Sequence, residues 1–260
     1  MKFTKKKWND WEVVKCETGS LEMLIGISAG PRIVSVGQAG GTNLLYKDST
    51  NFQVGDWRIY GGHRLTIAPE NADSYYPDND PCEVEIENSI LKVSSKQRSS
   101  GIRLSMVVSE NAAPGTGFTI KHVIENNGKG DWSGALWAIT CVPRSSIISA
   151  FCEVPDLHFW PGTDPSNWQQ ANNHVTIKPG NYRGKAGWYN NHVLLTSKLQ
   201  EGSLKICSLQ ASAPNSFDKS SNVEIFVCPA FVELETLSGD LIVHPGQSAS
   251  HLQQWQIQSN

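Results

Sequence analysis

The chain has 260 residues, of which 18% are charged and 39% hydrophobic, and it carries 13 Pro and 22 Gly. This composition excludes disordered and fibrous proteins and supplies enough apolar material for a substantial core. The 22 basic and 25 acidic residues nearly balance, which leaves no general electrostatic drive toward nucleic acid or an anionic membrane. Tryptophan is unusually frequent, with 9 copies against 8 Phe and 6 Tyr, and the excess predicts either core packing or a surface that stacks flat ligands.

The basic segment at residues 1–11 is followed by no apolar run of signal-peptide length, and no run of about 18 consecutive apolar residues occurs in the sequence. We therefore expect a cytoplasmic protein with no secretion signal and no membrane span. The six cysteines are scattered and include no C-x-x-C pair. That scatter favours buried, reduced thiols over a disulfide framework or a zinc site.

Apolar and polar residues alternate with a period of two along the whole chain, and no convincing amphipathic helix is present. In chain order, the clearest strands with one buried face include Val84 and Ile86, then Ile102, Leu104, Met106 and Val108, then Phe118, Ile120, His122 and Ile124. Turn signals such as Gly40-Gly41 and Pro245-Gly246 separate the runs. The pattern predicts an all-β sandwich or barrel. Because no linker or shift in composition interrupts it, we expect a single domain over residues 1–260.

Two segments, residues 48–81 and 155–173, fit poorly as strands. Both are long, polar and aromatic, and long irregular loops inside a compact domain are usually functional or disordered. Their aromatic content argues against disorder. We therefore expect their tryptophans, Trp57, Trp160 and Trp168, to offer indole faces to a ligand.

The densest cluster of polar and aromatic residues contains the run Gly61-Gly62-His63-Arg64. Adjacent glycines let the backbone approach a ligand or another strand closely, and the His and Arg supply a titratable donor and a fixed fork of donors. One interpretation is a polyol-binding corner. The other is a glycine bulge beside a structural His-Arg pair.

A second cluster contains Glu233 and Glu235 in a strand-like run. With Val232 and Leu234 facing the core, both glutamates share the other face, with Cβ atoms about 7 Å apart. Two carboxylates at that distance disfavour each other's ionisation, which can raise one pKa into a useful range for proton transfer. The alternative is a solvated outer face that carries two glutamates.

The remaining histidines suggest no metal site. His122 lies on the apolar face of its predicted strand, so we expect a core residue. His174, His192, His244 and His251 lie near turns or strand ends without Asp, Glu or Cys at metal-ligand spacing. The sequence also lacks a Gly-rich phosphate loop and a G-x-S-x-G elbow. We therefore predict neither a metal nor a cofactor.

Five short motifs, spread over nearly the whole chain, resemble the aldose 1-epimerase (galactose mutarotase-like) superfamily, and more closely its DUF4380 family. They are Gly30-Pro31-Arg32-Ile33, Gly41-Thr42-Asn43-Leu44-Leu45, Tyr60-Gly61-Gly62-His63-Arg64, the run 134–140 around Trp137, and Leu234-Glu235-Thr236. The resemblance implies a β-supersandwich of two large, mostly antiparallel, twisted sheets that binds a sugar on a concave face. It agrees with the alternation pattern.

The resemblance also implies roles for single residues. In the epimerases a glutamate takes the proton of the anomeric hydroxyl and a histidine gives a proton to the ring oxygen, and Glu235 matches the glutamate. Where the epimerases carry their catalytic histidine, this sequence has Trp137, whose indole does not titrate usefully. His63 is then the first choice for the acid and His158 the second. Arg58 is the nearest counterpart of the arginine that holds phosphate in the hexose-6-phosphate epimerase branch.

The sequence thus predicts an isomerase that opens and closes a sugar ring, with Glu235 as base and His63 as acid. The residues expected to bind the small-molecule carbohydrate are Arg64, Arg58, Glu233, Asp78, Trp57, Trp137, His158 and Trp160. A carbohydrate-binding protein without catalysis is the alternative, and a hydrolase or lyase that uses both glutamates is a third hypothesis. We expect a monomer or homodimer with no nucleic-acid or membrane partner.

Overall fold

The computed structural model of the chain describes residues 1–153, 157–178, 180–208 and 214–259. The first half of the chain contains strands β1 (Lys2–Trp8), β2 (Trp11–Thr18), β3 (Leu21–Gly26), β4 (Arg32–Gln38), β5 (Gln53–Val54), β6 (Trp57–Arg58), β7 (His63–Ala68), β8 (Glu83–Glu87), β9 (Ile90–Ser94), β10 (Ile102–Glu110) and β11 (Gly117–Asn126). The second half contains β12 (Trp132–Pro143), β13 (Ile147–Phe151), β14 (His158–Phe159), β15 (Trp168–Ala171), β16 (His174–Ile177), β17 (Gly184–Trp188), β18 (Val193–Leu199), β19 (Gly202–Ser208), β20 (Val223–Val227), β21 (Phe231–Leu237), β22 (Leu241–Val243) and β23 (Ser248–Ser259).

Nearly all of these strands belong to two large antiparallel sheets. The first sheet has the order β1-β2-β3-β4-β7-β12-β21-β20-β17-β14, with β22 paired to β12. The second has the order β15-β16-β13-β18-β19-β23-β11-β10-β9-β8, and β5 and β6 form a separate hairpin. The helical elements of the described residues are three short 3-10 turns, Ala72–Tyr75, Pro165–Asn167 and Asp218–Ser220. The all-β prediction is confirmed, and no helix in this part of the chain is long and apolar enough to span a membrane.

The main core combines residues of both sheets. The predicted apolar faces of β10 and β11 are buried, with Leu104, Met106 and Phe118 no more than 1% exposed. Val84 and Ile86 on β8 were expected to be buried, but Ile86 is 49% exposed. The reason is that β8 is an edge strand of the second sheet, where a neighbouring strand covers only one side.

The segment 48–81 is less irregular than predicted, because it contains β7, which lies between β4 and β12 in the first sheet. The two glycines before β7 allow their backbone to pack closely against the neighbouring backbone at Tyr46 and Ile33. A Cβ on Gly61 would collide with the carbonyl oxygen of Tyr46, and one on Gly62 with that of Ile33. Both glycines also have positive φ angles, 78° and 69°. They therefore fit the interpretation as a structural bulge.

Candidate functional site

The residues of β21 point alternately to the two faces of the first sheet. Val232, Leu234 and Thr236 are buried on the side of the second sheet, whereas Glu233 and Glu235 border a cavity on the other side. The same alternation on β7 sends Arg64 into this cavity. Arg64 is paired with Ile139 of β12, and Ile139 with Glu235, so the three residues form one row across the sheet. Strand pairing thus brings residues from distant parts of the chain to one surface.

The cavity has a volume of about 1130 Å³, which is large enough for a sugar ring with substituents. Its floor is formed by β7, β12, β21, β20 and β17, and its walls include residues of both segments that the sequence predicts to be irregular. The lining contains eight aromatic and eight charged side chains. The aromatic lining residues are Tyr46, Phe52, Trp57, Tyr75, Trp137, Trp160, Phe226 and Phe231.

Glu235 is fully buried, and its two carboxylate oxygens differ in their surroundings. Oε2 accepts a hydrogen bond from Nε1 of Trp137 at 2.7 Å and another from Nζ of Lys185 at 3.0 Å. Oε1 has no hydrogen-bond partner in the described part of the chain. A buried acceptor without a donor costs about 1–3 kcal/mol, more when it is charged. Oε1 is therefore an unsatisfied buried acceptor of a residue that lines the cavity.

Lys185 on β17 holds this arrangement in place. Its Nζ lies 2.5 Å from Oε2 of Glu224 and 3.0 Å from Oε2 of Glu235. It also lies 4.7 Å from the ring centroid of Trp137 and 5.2 Å from that of Trp160. The ammonium thus has two carboxylates and two indole faces around it.

The ammonium group of Lys185 is the shared ion-pair partner of the buried carboxyl groups of Glu224 and Glu235. Burial lowers the pKa of Lys185, but the attraction of Glu235 and Glu224 outweighs that effect and the net direction is upward. Burial raises the pKa of Glu224 well above its ordinary value, against the opposing attraction of Lys185. Glu224 is therefore the carboxyl that is driven toward its neutral form. Lys185 lies between this carboxyl and that of Glu235 and contacts both.

Glu233 lies two residues before Glu235 and is half-buried. Loss of solvation and the nearby Glu235 carboxylate raise the pKa of Glu233 to about 7, although Arg64 and Lys185 oppose them. Its Oε1 lies 3.7 Å from Sγ of Cys141, the residue directly opposite on β12. We call Glu224, Glu233, Glu235 and Lys185 the carboxylate cluster.

A second wall of the cavity carries Arg64. Its guanidinium carbon lies 5.1 Å from the ring centroid of Trp57, and Trp57 makes an edge contact with Tyr75 at 5.4 Å between centroids. The hydroxyl of Tyr75 donates to Glu70. This wall thus combines an indole face with donors that suit sugar hydroxyls.

The structure does not place His63 in the cavity. His63 is the neighbour of Arg64 on β7, and the alternation sends its side chain between the two sheets, where it is fully buried. Its Nδ1 lies 2.9 Å from Oγ1 of Thr140 and its Nε2 lies 2.7 Å from Nε2 of His122. His63 therefore cannot donate a proton to a ligand beside Glu235, which corrects its expected role as the acid.

His63, His122 and His251 form a histidine cluster in the core, as predicted for His122. Nδ1 of His122 faces the carbonyl oxygen of His251 at 3.1 Å, and a carbonyl only accepts, so this nitrogen carries the proton. Nε2 of His122 then accepts from His63, and Nδ1 of His63 accepts from Thr140. Burial lowers the pKa values of all three histidines, to about 3 for His122 and about 4 for His251.

Three further predicted ligand-binding residues also lie outside the cavity lining. Arg58 is exposed and borders a separate depression of about 480 Å³ near Trp11. Asp78 approaches Nη2 of Arg98 at 3.5 Å. His158 is exposed on β14, an edge strand of the first sheet. All three residues lie in the segments that were predicted to be irregular, and the strand order does not bring them to the cavity.

The other six residues that were predicted to contact the ligand do line the cavity. They are Glu235, Glu233, Arg64, Trp57, Trp137 and Trp160. Trp168, in contrast, is 7% exposed and packs in the core beside Phe159. Lys185 and Glu224 were missed, because each lies in a short buried strand without a neighbouring motif. No group of three or more potential metal-ligating side chains occurs among the residues that the structure describes.

The fold is similar to that of galactose mutarotase-like proteins. No protein-family model and no curated protein matches the sequence. A galactose mutarotase-like protein from Lactobacillus casei is similar with a TM-score of 0.64 and 10% identity, over 94% of this chain and 99% of that one. A protein from Escherichia coli proposed to be an aldose 1-epimerase has a TM-score of 0.61 and 12% identity, over 95% and 99% of the two chains.

A third similar structure is a TPR-domain containing protein from Parabacteroides distasonis, with a TM-score of 0.63 and 13% identity. The match covers 96% of this chain and 47% of that one, so the chain spans about half of that protein's length. At these identities the likeness shows the galactose mutarotase-like fold and no more. The closer resemblance to the DUF4380 family has no support from a family model.

Proposed function

We propose that the protein is an aldose 1-epimerase-like isomerase that acts on a free sugar or sugar derivative, with Glu235 as the proton acceptor. The observation that carries this proposal is the unpartnered Oε1 of Glu235 at the wall of an aromatic cavity. A sugar offers hydroxyl donors for such an oxygen and C–H faces for the surrounding indoles. The fold likeness to mutarotase-like proteins supports the same chemistry.

Trp137 and Lys185 hold Glu235 in a fixed orientation through its other oxygen. The general base thus keeps one oxygen for the anomeric hydroxyl while the second is occupied. Such positioning is what proton abstraction from a bound ligand requires. In this proposal Trp137 is a positioning residue for Glu235 and a stacking surface for the ring.

A second candidate is a carbohydrate-binding protein without catalysis. The observation that favours it is that, among the described residues, no histidine lines the cavity. A histidine supplies the acid in the epimerases that the sequence resembles. The cavity would then bind a sugar through the same aromatic and acidic residues but leave the ring closed.

Polarimetry separates the two candidates. We would follow the mutarotation of freshly dissolved D-glucose, D-galactose, D-mannose and D-xylose with the wild-type protein and with Glu235→Gln. The isomerase predicts mutarotation faster than in buffer, and a loss of about 10²–10⁴-fold in the variant. An exposed substitution, Glu201→Gln, is the matched control. Saturable binding by calorimetry, with no rate above buffer for any sugar, would favour the binding protein.

A further inference from the structure

The proposed ring opening needs a proton donor as well as Glu235. The reaction breaks the bond between C1 and the ring oxygen, so that oxygen must gain a proton while the anomeric hydroxyl loses one. Since both oxygens are attached to C1, donor and acceptor must reach the same carbon. The donor therefore has to border the cavity close to Glu235.

Most ionisable groups beside Glu235 do not suit this role. His63 faces the other side of the sheet. The ammonium of Lys185 is engaged by two carboxylates and two indole faces, and its pKa is raised, so it releases a proton poorly. Burial raises the pKa values of Tyr46 and Tyr75 to about 12, so their hydroxyls are weak acids. The remaining cations that line the cavity are arginines, whose guanidinium group does not act as a proton donor in proteins.

Glu233 differs from these groups in position and in contacts. It shares the cavity-facing side of β21 with Glu235, two residues away, which places the Cβ atoms about 7 Å apart. Its one hydrogen-bond contact given by the structure is the weak thiol donor of Cys141. Its carboxyl group is thus next to the base, borders the cavity and is held by no strong partner among the described residues.

We propose that Glu233 is the proton donor to the ring oxygen, paired with Glu235 as the proton acceptor; this assignment rests on the proposed epimerase function. In ring opening, Glu235 takes the proton of the anomeric hydroxyl and the C1=O bond forms. The bond between C1 and the ring oxygen breaks, and the ring oxygen takes the proton of Glu233. After rotation about C1–C2, the reverse transfers close the ring, and both carboxyls return to their starting states.

The electrostatic surroundings of Glu233 agree with this assignment. The groups that act on it are Glu235 on its own strand, Cys141 on β12, Arg64 on β7, Lys185 on β17 and Tyr75 in a 3-10 turn. Burial and Glu235 dominate and raise the pKa of Glu233 to about 7, so a substantial fraction of this carboxyl is protonated at neutral pH. A carboxyl that its surroundings keep partly protonated, beside a second carboxyl, is a recurrent arrangement for a proton donor and acceptor.

Placement on one strand suits epimerisation better than glycoside hydrolysis. An inverting glycosidase needs its two carboxyls on opposite sides of the scissile bond. Glu233 and Glu235 approach from one side of the sheet and cannot easily flank a bond. Ring opening needs only that both groups reach oxygens of the same hemiacetal carbon, which neighbouring positions on one strand allow.

The pH dependence of mutarotation tests the assignment, using the sugar of the panel above with the fastest catalysed rate. Because Glu233 must be protonated, kcat/KM of the wild-type protein should fall as the pH rises through about 7. Glu233→Gln keeps the size of the side chain but cannot release a proton. We expect a rate about 10²–10⁴-fold lower, loss of the fall near pH 7, and sugar affinity within a few-fold of wild type.

Controls separate the possible failures. Glu233→Asp should keep the fall near pH 7 at a reduced rate, and Glu201→Gln should match the wild type. Far-UV circular dichroism and cooperative thermal unfolding show whether each variant folds. An activity-independent readout is the infrared band of a protonated carboxyl that titrates near pH 7 and is missing in Glu233→Gln.

Wild-type-like rates and pH profile in folded Glu233→Gln, with activity lost in Glu235→Gln, would overturn the assignment of Glu233 alone. Absence of the infrared band would overturn it as well. If the wild-type protein shows no mutarotation with any sugar, the proposed function itself fails, and the role of Glu233 fails with it.

Discussion

Two polar clusters lie on opposite faces of the first sheet: β7 contributes His63 to the histidine cluster, and β21 contributes Glu233 and Glu235 to the carboxylate cluster. The histidine cluster lies between the sheets, where both ring nitrogens of His63 and of His122 have partners. The carboxylate cluster borders the cavity, and Oε1 of Glu235 has no partner in the described residues. Both clusters are largely buried and contain titratable groups, so burial and titratable groups do not distinguish a functional cluster from a structural one. The feature that distinguishes the carboxylate cluster is an acceptor without a partner in a residue that lines a cavity.

The largest expected effect concerns the cation of the carboxylate cluster. Lys185→Met leaves Glu224 and Glu235 buried without their counter-ion, and we expect a loss of about 3–5 kcal/mol in the free energy of unfolding. Chemical denaturation measures it, with the exposed Lys198→Met as control. Adding Glu224→Gln should recover part of the loss. A change below about 1 kcal/mol would contradict the view that Lys185 holds this cluster together.

The next effect concerns the pH dependence of the histidine cluster. The folded-state pKa values of the histidines are lowered, so below about pH 6.5 the unfolded chain binds more protons than the folded one. Stability is therefore present above that pH and falls as the pH decreases toward the folded values of about 3 to 4. We expect each histidine to lower the free energy of unfolding at pH 5.5 by about 1.4 kcal/mol relative to its value at neutral pH.

Denaturant unfolding at pH 7.5 and pH 5.5 measures this loss. In His251→Gln, which removes one titrating ring, the difference between the two pH values should be smaller by about 1.4 kcal/mol. The exposed His174→Gln is the matched control and should leave the difference unchanged. Stability that is equal at both pH values would show that the cluster does not titrate as described.

The smallest effect concerns sugar stacking. Trp160 borders the cavity and contacts Lys185, so Trp160→Leu should remove an indole face while the carboxylate cluster remains. We expect sugar affinity to decrease by about 1 kcal/mol, roughly fivefold in Kd. Calorimetry with the sugar that binds the wild type measures it. Trp8→Leu, outside the cavity lining, is the control, and an equal decrease there would argue against stacking by Trp160.

The sequence predicted the strands and one face of the site. The alternation around Glu235 indicates which side chains share a face, because Val232 and Leu234 are apolar and the glutamates are not. Two-residue periodicity also predicts the buried faces of β10 and β11. These predictions succeeded because the pattern is local and the two faces differ in polarity.

The same rule could not assign His63 and Arg64. Both faces of β7 carry polar residues, one at the inter-sheet core and one at the cavity, so alternation shows that the two side chains diverge but not which enters the cavity. Lys185 and Glu224 were missed for a different reason. Their meeting with Glu235 depends on the order β21-β20-β17, which is a long-range property of the sheet.

The most direct test of the contrast between the two faces compares Glu235→Gln with His63→Gln in the mutarotation assay, per folded molecule. We expect Glu235→Gln to lose about 10²–10⁴-fold in rate, whereas folded His63→Gln should stay within a few-fold of wild type. Mutarotation that survives Glu235→Gln but is lost in folded His63→Gln would contradict this expectation.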